Sequence, residues 1–386
     1  MRILRILLSL AVALSIAAAQ SSKSIPKNII LFIADGMGVA HVTAGRTHKG
    51  WLEIEKFKHI GLILTHGPGD FYVTESAAAA TAFATGHKIP GGIISLKASA
   101  GPRTFIDTLT IQSGGVSMAP DSTPLRTVFE AARDNKLKTG AIVVCTITDA
   151  TPAAFLSHAP SRRMHAEIAE QIANSNADVL FGGGRQWFLP TVLGGRREDG
   201  KNLIQEMTGR GYTYVSNDTS FHALDVRRAN KIVGLFAENH MGYAEQRILS
   251  VAEMTKAALE FFSNDDTGFF LLVENEGSDD AAHSSLSDRV KVEIAELDNA
   301  VEEATRFAQR NPETLILVAG DHETGGYALN NGSLTERTIQ GGFTTKDHTA
   351  SMIPIFAMGP GAERFTGIID NTTVGKILLE FVQAKH

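Results

Sequence analysis

Eight short apolar runs constrain the fold of this chain more than any other feature. They are NIILFIAD (28–35), HIGLILTHG (59–67), TGAIVVCTITD (139–149), ADVLFGGG (177–184), KIVGLFAEN (231–239), GFFLLVENEG (268–277), TLILVAGDHE (314–323) and MIPIFAMGPG (352–361). They are β-branched or leucine-rich and do not alternate, which predicts strands covered on both faces. Helical patterns lie between them. In STPLRTVFEAARDNK, Thr123 is expected to cap and Pro124 to take the first helical position, with Leu125, Val128, Phe129 and Ala132 on one face. Ser250 and Glu253 have capping-box spacing. Val290, Ile294, Leu297, Val301 and Ala304 recur at helical period.

Strands alternating with helices predict an α/β three-layer sandwich, a large and mostly parallel sheet with helices on both faces. Apolar residues make up 43% of the 386, enough for a sizeable core. No Pro/Gly-rich linker divides the chain, so residues 20–386 are expected to form one domain. The segment 87–121 is expected to be an extended surface loop.

The first 19 residues read differently. Arg2 and Arg5 precede an apolar run to Ile16, followed by Ala17, Ala18 and Ala19. That is the pattern of a secretory signal cut after Ala19, and the run is short for a bilayer span. The expected location is therefore secreted or periplasmic. Cleavage would remove two of 36 basic residues and no acids, so 34 would face 42, a net charge of −8. Such acidity argues against a nucleic-acid-binding module. The lone Cys145 has no partner for an internal disulfide.

Four of the apolar runs end in chemistry-bearing residues. Asp35 closes the first, Glu274 the sixth, and Asp321 with His322 the seventh; Asp149 and Thr151 follow the third. In open α/β sheets, ligands bind beyond the carboxyl ends of the strands, so these acids predict a cation site at one sheet edge. Asp279 and His283 are four apart, and one helical turn would aim both at one ion. His348 stands just before the last run. Carboxylates with imidazoles suit zinc, whereas carboxylates with a hydroxyl, as in Asp35, Thr151 and Glu274, suit magnesium.

The segments ADGMG, VTESAAAATAFATG, TDATPAAFLSHAPSR, VENEGSDDAAH, GDHETGG and KDHTASMIPIFAMGPG occur in an order that resembles the alkaline phosphatases, over roughly residues 28–380. The resemblance implies hydrolysis of small phosphate monoesters through a phosphoserine, with Ser76 as nucleophile and Arg162 as phosphoryl clamp. Asp279, His283 and His348 would hold one Zn2+. Asp35, Asp321 and His322 would hold a second. Asp35 would also reach a Mg2+ held by Thr151 and Glu274, and Asp149 would hold a water on that ion. The family often forms homodimers. A phosphodiesterase or sulfatase on the same scaffold is the alternative.

Two residues depart from the family pattern. Glu75 stands where aspartate usually orients the arginine, so its extra methylene is expected to alter the clamp. Asp280 stands where lysine, histidine or tryptophan is common. With Asp149 it is expected to make the magnesium site more negative, tightening divalent binding and weakening phosphate retention. His158, His165, His222 and His240 have no ligand-like partners at suitable spacing and are expected to be ordinary surface or packing residues. The glycines at 182–184 lack the lysine of a P-loop and read as a tight turn.

Overall fold

A computed structural model of the chain describes residues 25–100 and 118–384. The proposed signal lies outside the described residues, as does the middle of the 87–121 segment. Its described ends pair as an antiparallel ribbon, Leu96–Ala100 with Met118–Pro124.

One ten-stranded sheet organises the molecule. In chain order its strands are β1 (Asn28–Ala34), β2 (His59–Leu64), β3 (Lys138–Thr146), β4 (Val179–Gly183), β5 (Tyr212–Val215), β6 (Lys231–Leu235), β7 (Phe269–Asn275), β8 (Thr314–Ala319), β9 (Ile353–Met358) and β10 (Gly367–Asp370). Across the sheet they run β10-β2-β9-β8-β1-β7-β3-β4-β6-β5. Only β9 is reversed: it pairs antiparallel with β8 and with β2, and every other pairing is parallel.

The helices among the described residues are α1 (Val39–Lys49), α2 (Ser76–Thr85), α3 (Val128–Asp134), α4 (Ala150–Leu156), α5 (His165–Asn174), α6 (Leu203–Gly209), α7 (Asp218–His222), α8 (Val251–Phe262), α9 (Gly277–His283), α10 (Ser287–Arg310) and α11 (Asn371–Gln383). They cover both sheet faces. Ile29, Leu31 and Ile33 of β1 enter one apolar core, and Ile30, Phe32 and Ala34 enter the other. This two-sided burial explains why β1 reads as an unbroken apolar run. None of these helices is long and apolar enough to cross a membrane.

Three sequence expectations change. β2 is not covered on both faces, since Ile60 and Leu64 are exposed. Thr123 and Pro124 do not start a helix; they end the ribbon strand, with Pro124 opposite Leu96. The cap is Thr127, whose hydroxyl accepts from Glu130 N while Glu130 Oε2 accepts from Thr127 N. A reciprocal pair of bonds outcompetes a bare Thr–Pro signal, and a ribbon strand tolerates the proline. Third, the 182–184 glycines do more than turn. A Cβ on Gly183 would sit 1.9 Å from Asn239 O. Only glycine lets the strip after β6 lie this close, and Gly184 N donates to that carbonyl at 2.9 Å.

Candidate active site and metal centres

Nine of the ten strands point the same way, so their carboxyl ends share one edge. Asp35 follows β1 directly, Glu274 pairs with Ile33 near the end of β7, and Asp321 lies two residues past β8. Asp149 and Thr151 follow β3. His348 reaches the same edge for the opposite reason. It precedes β9, the reversed strand, whose amino end lies where its neighbours' carboxyl ends lie.

Two triads form there. His283 Nε2 lies 3.2 Å from Asp279 Oδ2 and 3.1 Å from His348 Nε2. His322 Nε2 lies 3.2 Å from Asp321 Oδ2 and 3.4 Å from Asp35 Oδ1. The His322 and His348 rings stack with centroids 3.6 Å apart, so the triads adjoin. All three histidines are turned alike. Nδ1 of His348 donates to Thr74 O at 3.1 Å, and Nδ1 of His283 donates to Lys346 O. Nδ1 of His322 donates to Thr324 Oγ1 at 3.2 Å, whose own proton goes to Asp279 Oδ1. Each ring thus donates through Nδ1 and turns Nε2 inward, the orientation a metal needs.

The electrostatics agree. Burial, then Asp321, Asp279 and Glu274, push the Asp35 carboxyl well above its ordinary range. Burial and Glu276 do the same to Glu274, and burial with Asp279 lifts Asp321 to about 6. Burial and His348 drive His322 far down, leaving it neutral. Asp35 Oδ1, Asp321 Oδ2 and Thr151 Oγ1 are buried without a hydrogen-bond partner. Buried acids and lone pairs in this state fit cations. Cys145 donates to Glu274 Oε2 at 3.3 Å from within the core.

Ser76 is the first residue of α2, is 5% exposed, and places Oγ 3.2 Å from His322 Nε2. Every residue of α2 is buried, and small side chains let it pack against α4 and α11. A Cβ on Gly375 of α11 would sit 2.3 Å from Ala82 O. Gly86 ends the helix in the left-handed region at φ 72°.

Glu75 caps α2 and also holds the arginine. Its carboxylate accepts from Ala77 N at 3.0 Å, Ala78 N at 2.8 Å and Gly92 N at 2.9 Å, and binds Arg162 Nη1 at 2.9 Å. Arg162 Nη2 binds Asp149 Oδ1 at 2.7 Å. Burial alone would raise the Glu75 and Asp149 carboxyls, but Arg162 and backbone N–H donors hold both below their usual range. The extra methylene of Glu75 is taken up by glycines: a Cβ on Gly91 would meet Glu75 Cγ at 3.0 Å.

His158, His165 and His222 are ordinary, pairing with Glu130, Thr148 and Asp218 respectively. His240 is not. Its ring lies between Glu276 and Asp149, two acids far from it in sequence. Sequence spacing could not join these residues, and Glu276 was equally hidden beside Glu274. Asp280, on the outer side of α9, is exposed.

Comparison with known proteins agrees with this geometry. The alkaline phosphatase family model matches residues 26–338. Streptomycin-6-phosphate phosphatase of Streptomyces griseus is 30% identical over 94% of this chain and 92% of its own length. Alkaline phosphatase of Escherichia coli is 29% identical over 90% and 84%. The solved alkaline phosphatase of the Antarctic bacterium TAB5 superposes with a TM-score of 0.80 at 31% identity, covering 95% of this chain and all of that one. A mutant of that enzyme carries Mg in a site termed M3. With fold, site and comparisons in accord, the chain belongs to the alkaline phosphatase family of phosphate-monoester hydrolases.

Proposed function

We propose that this phosphatase works through a phosphoserine at Ser76, with two zinc ions and one magnesium ion as resident cofactors. Asp279, His283 and His348 would hold one zinc, and Asp35, Asp321 and His322 the other. Thr151 and Glu274, with Asp35, would hold magnesium. The observation that carries the reading is the common turn of three histidines, each presenting Nε2 beside carboxylates, with Ser76 Oγ 3.2 Å from the Nε2 of His322. When bound, the ions would stabilise negative charge on the attacking and leaving oxygens.

The chain's own groups do the rest. Ser76 Oγ, at the N-terminus of a ten-residue helix, meets the phosphoryl group where the helix dipole is positive. Its bond to phosphorus forms as the ester bond breaks; the alcohol leaves with a solvent proton. The Ser76 proton passes to solvent. Water then attacks phosphorus from the side the alcohol left, opposite Ser76 Oγ; the bond from phosphorus to Ser76 breaks, Ser76 regains a proton from solvent, and inorganic phosphate leaves. Arg162 has one hydrogen of each Nη committed to Glu75 and Asp149. One hydrogen remains on each Nη for two phosphoryl oxygens.

Arg162→Lys cannot make both pairs and present a fork. It is expected to raise KM for monoesters and weaken phosphate inhibition by about 30- to 100-fold, on the order of 2–3 kcal/mol, as read from steady-state kinetics. Asp280→Lys is expected to weaken magnesium dependence and strengthen phosphate inhibition. No change in either would remove Asp280 from the site's electrostatics. The substrate class is tested by comparing nitrophenyl phosphate, its methyl diester and its sulfate. The monoester is expected to dominate by orders of magnitude; comparable diester or sulfate turnover would overturn the reading. The N-terminal pattern supports export, with the mature chain beginning after Ala19.

A further inference from the structure

Among the described residues a third triad stands apart from both zinc sets: Asp149, His240 and Glu276, whose donor atoms all lie within 4.8 Å of one another. We infer that these three residues form an additional divalent-cation site, suited to a first-row ion of the zinc, cobalt or manganese class. It shares no direct ligand with the proposed zinc and magnesium sites, although Asp149 is also the residue expected to hold a water on the magnesium, and it stands whether or not Ser76 is the nucleophile.

The donors come from three separate segments rather than from a run of acids. Asp149 caps α4, Glu276 follows β7, and His240 lies on the strip after β6. His240 Nδ1 is 2.8 Å from Glu276 Oε2, and Nε2 is 3.9 Å from Asp149 Oδ2. Asp149 Oδ1 is already committed, to Arg162 Nη2 at 2.7 Å and Ala150 N at 2.7 Å, which leaves Oδ2 for the imidazole side.

The backbone fixes His240 from both sides. Asn239 O accepts from Gly184 N at 2.9 Å, and Met241 N donates to Val144 O at 2.8 Å. The approach depends on Gly183, where any Cβ would clash with Asn239 O. An imidazole closed onto a carboxylate is also how both zinc triads look, at 3.2 Å in each.

One imidazole and two carboxylates match the three-ligand pattern of zinc sites that keep an open position. The His240 side chain is 37% exposed, so water can complete the coordination sphere. Asp280 and Glu274 add negative field from nearby. An ion here would share Asp149 with Arg162, linking its occupancy to the phosphate clamp.

The test is a metal count on the full chain. Stripped protein is dialysed against cobalt chloride and bound cobalt per chain is measured for wild type, His240→Ala and Glu276→Gln. Wild type is expected to hold one equivalent more than either variant. Equal counts overturn the site. So does a folded variant that loses two or more equivalents, because His240 would then be supporting the other sites. Should a variant fail to fold, wild-type crystals soaked in cobalt chloride decide. An anomalous-scattering peak bounded by Asp149, His240 and Glu276 is expected; its absence overturns the proposal.

Discussion

Replacing Ser76 by alanine is expected to cut kcat for nitrophenyl phosphate by about 1,000-fold or more, at least about 4 kcal/mol of barrier, with little change in thermal midpoint. The two halves of this expectation rest on different atoms. Oγ of Ser76 is the hydroxyl beside His322 Nε2, so its loss removes the atom proposed to attack phosphorus. It is not the atom that caps α2. That task belongs to Glu75, whose carboxylate takes the N–H groups of Ala77 and Ala78. The helix therefore keeps its cap, and alanine is a good helix former. Arg162 and the two triads also remain, so phosphate should still bind. Acid quenching of wild type with labelled substrate should trap a phosphoserine that the variant lacks. Full activity in a folded Ser76→Ala protein would remove Ser76 from the reaction.

The separation of roles between Glu75 and Ser76 shows what the sequence could and could not reveal. The strands nearest the site were legible because they are buried on both faces, and a continuous apolar run survives without periodicity. β5 and β10 were not legible. They are four-residue strands at the two ends of the sheet, too short and too polar to carry a pattern. The proposed ligand residues could be read where they sit in compact motifs, as with Asp279 and His283 on one helical turn. The atoms that turn the histidines could not, because the carbonyls of Thr74 and Lys346 are backbone groups that any sequence supplies. The surroundings of His240 were illegible for a related reason. Its partners lie 91 and 36 residues away along the chain, and only the close approach at Gly183 brings the strip that carries it to the site edge. For Glu75 the sequence shows only the added length. The structure adds the second half of the fit, a Gly91–Gly92 turn that makes room for the longer side chain.

Stripping the metals with a chelator is expected to abolish activity and to lower the thermal midpoint by about ten degrees, and the gap is expected to widen as pH rises. A site whose ion is present at about 1,000 times Kd gains about 4 kcal/mol, and two such sites about 8 kcal/mol. At roughly 1–2 °C per kcal/mol for a chain this large, that is about ten degrees. The pH dependence follows from protons that stand in for the ions. In the stripped protein, Asp279 holds the His283 imidazolium up to about 9 against an ordinary value of 6.5. Burial and Asp279 lift Asp321 to about 6 against 3.8. Both groups are raised on folding, so their proton-linked stability is complete below the ordinary values and is lost as pH climbs through about 6 and then about 9. The carboxyls lowered on folding, Glu75, Asp149 and Asp279, act in the acid range below their ordinary values; His322, also lowered, is neutral in the stripped and the loaded chain alike and so does not change the gap between them. In the loaded protein the ions replace these protons, and deprotonation favours binding. Calorimetric melts of loaded and stripped chain at pH 5, 7 and 9 should therefore diverge with pH. A gap that narrows toward pH 9 would mean that the buried acids and imidazoles are not the ligands.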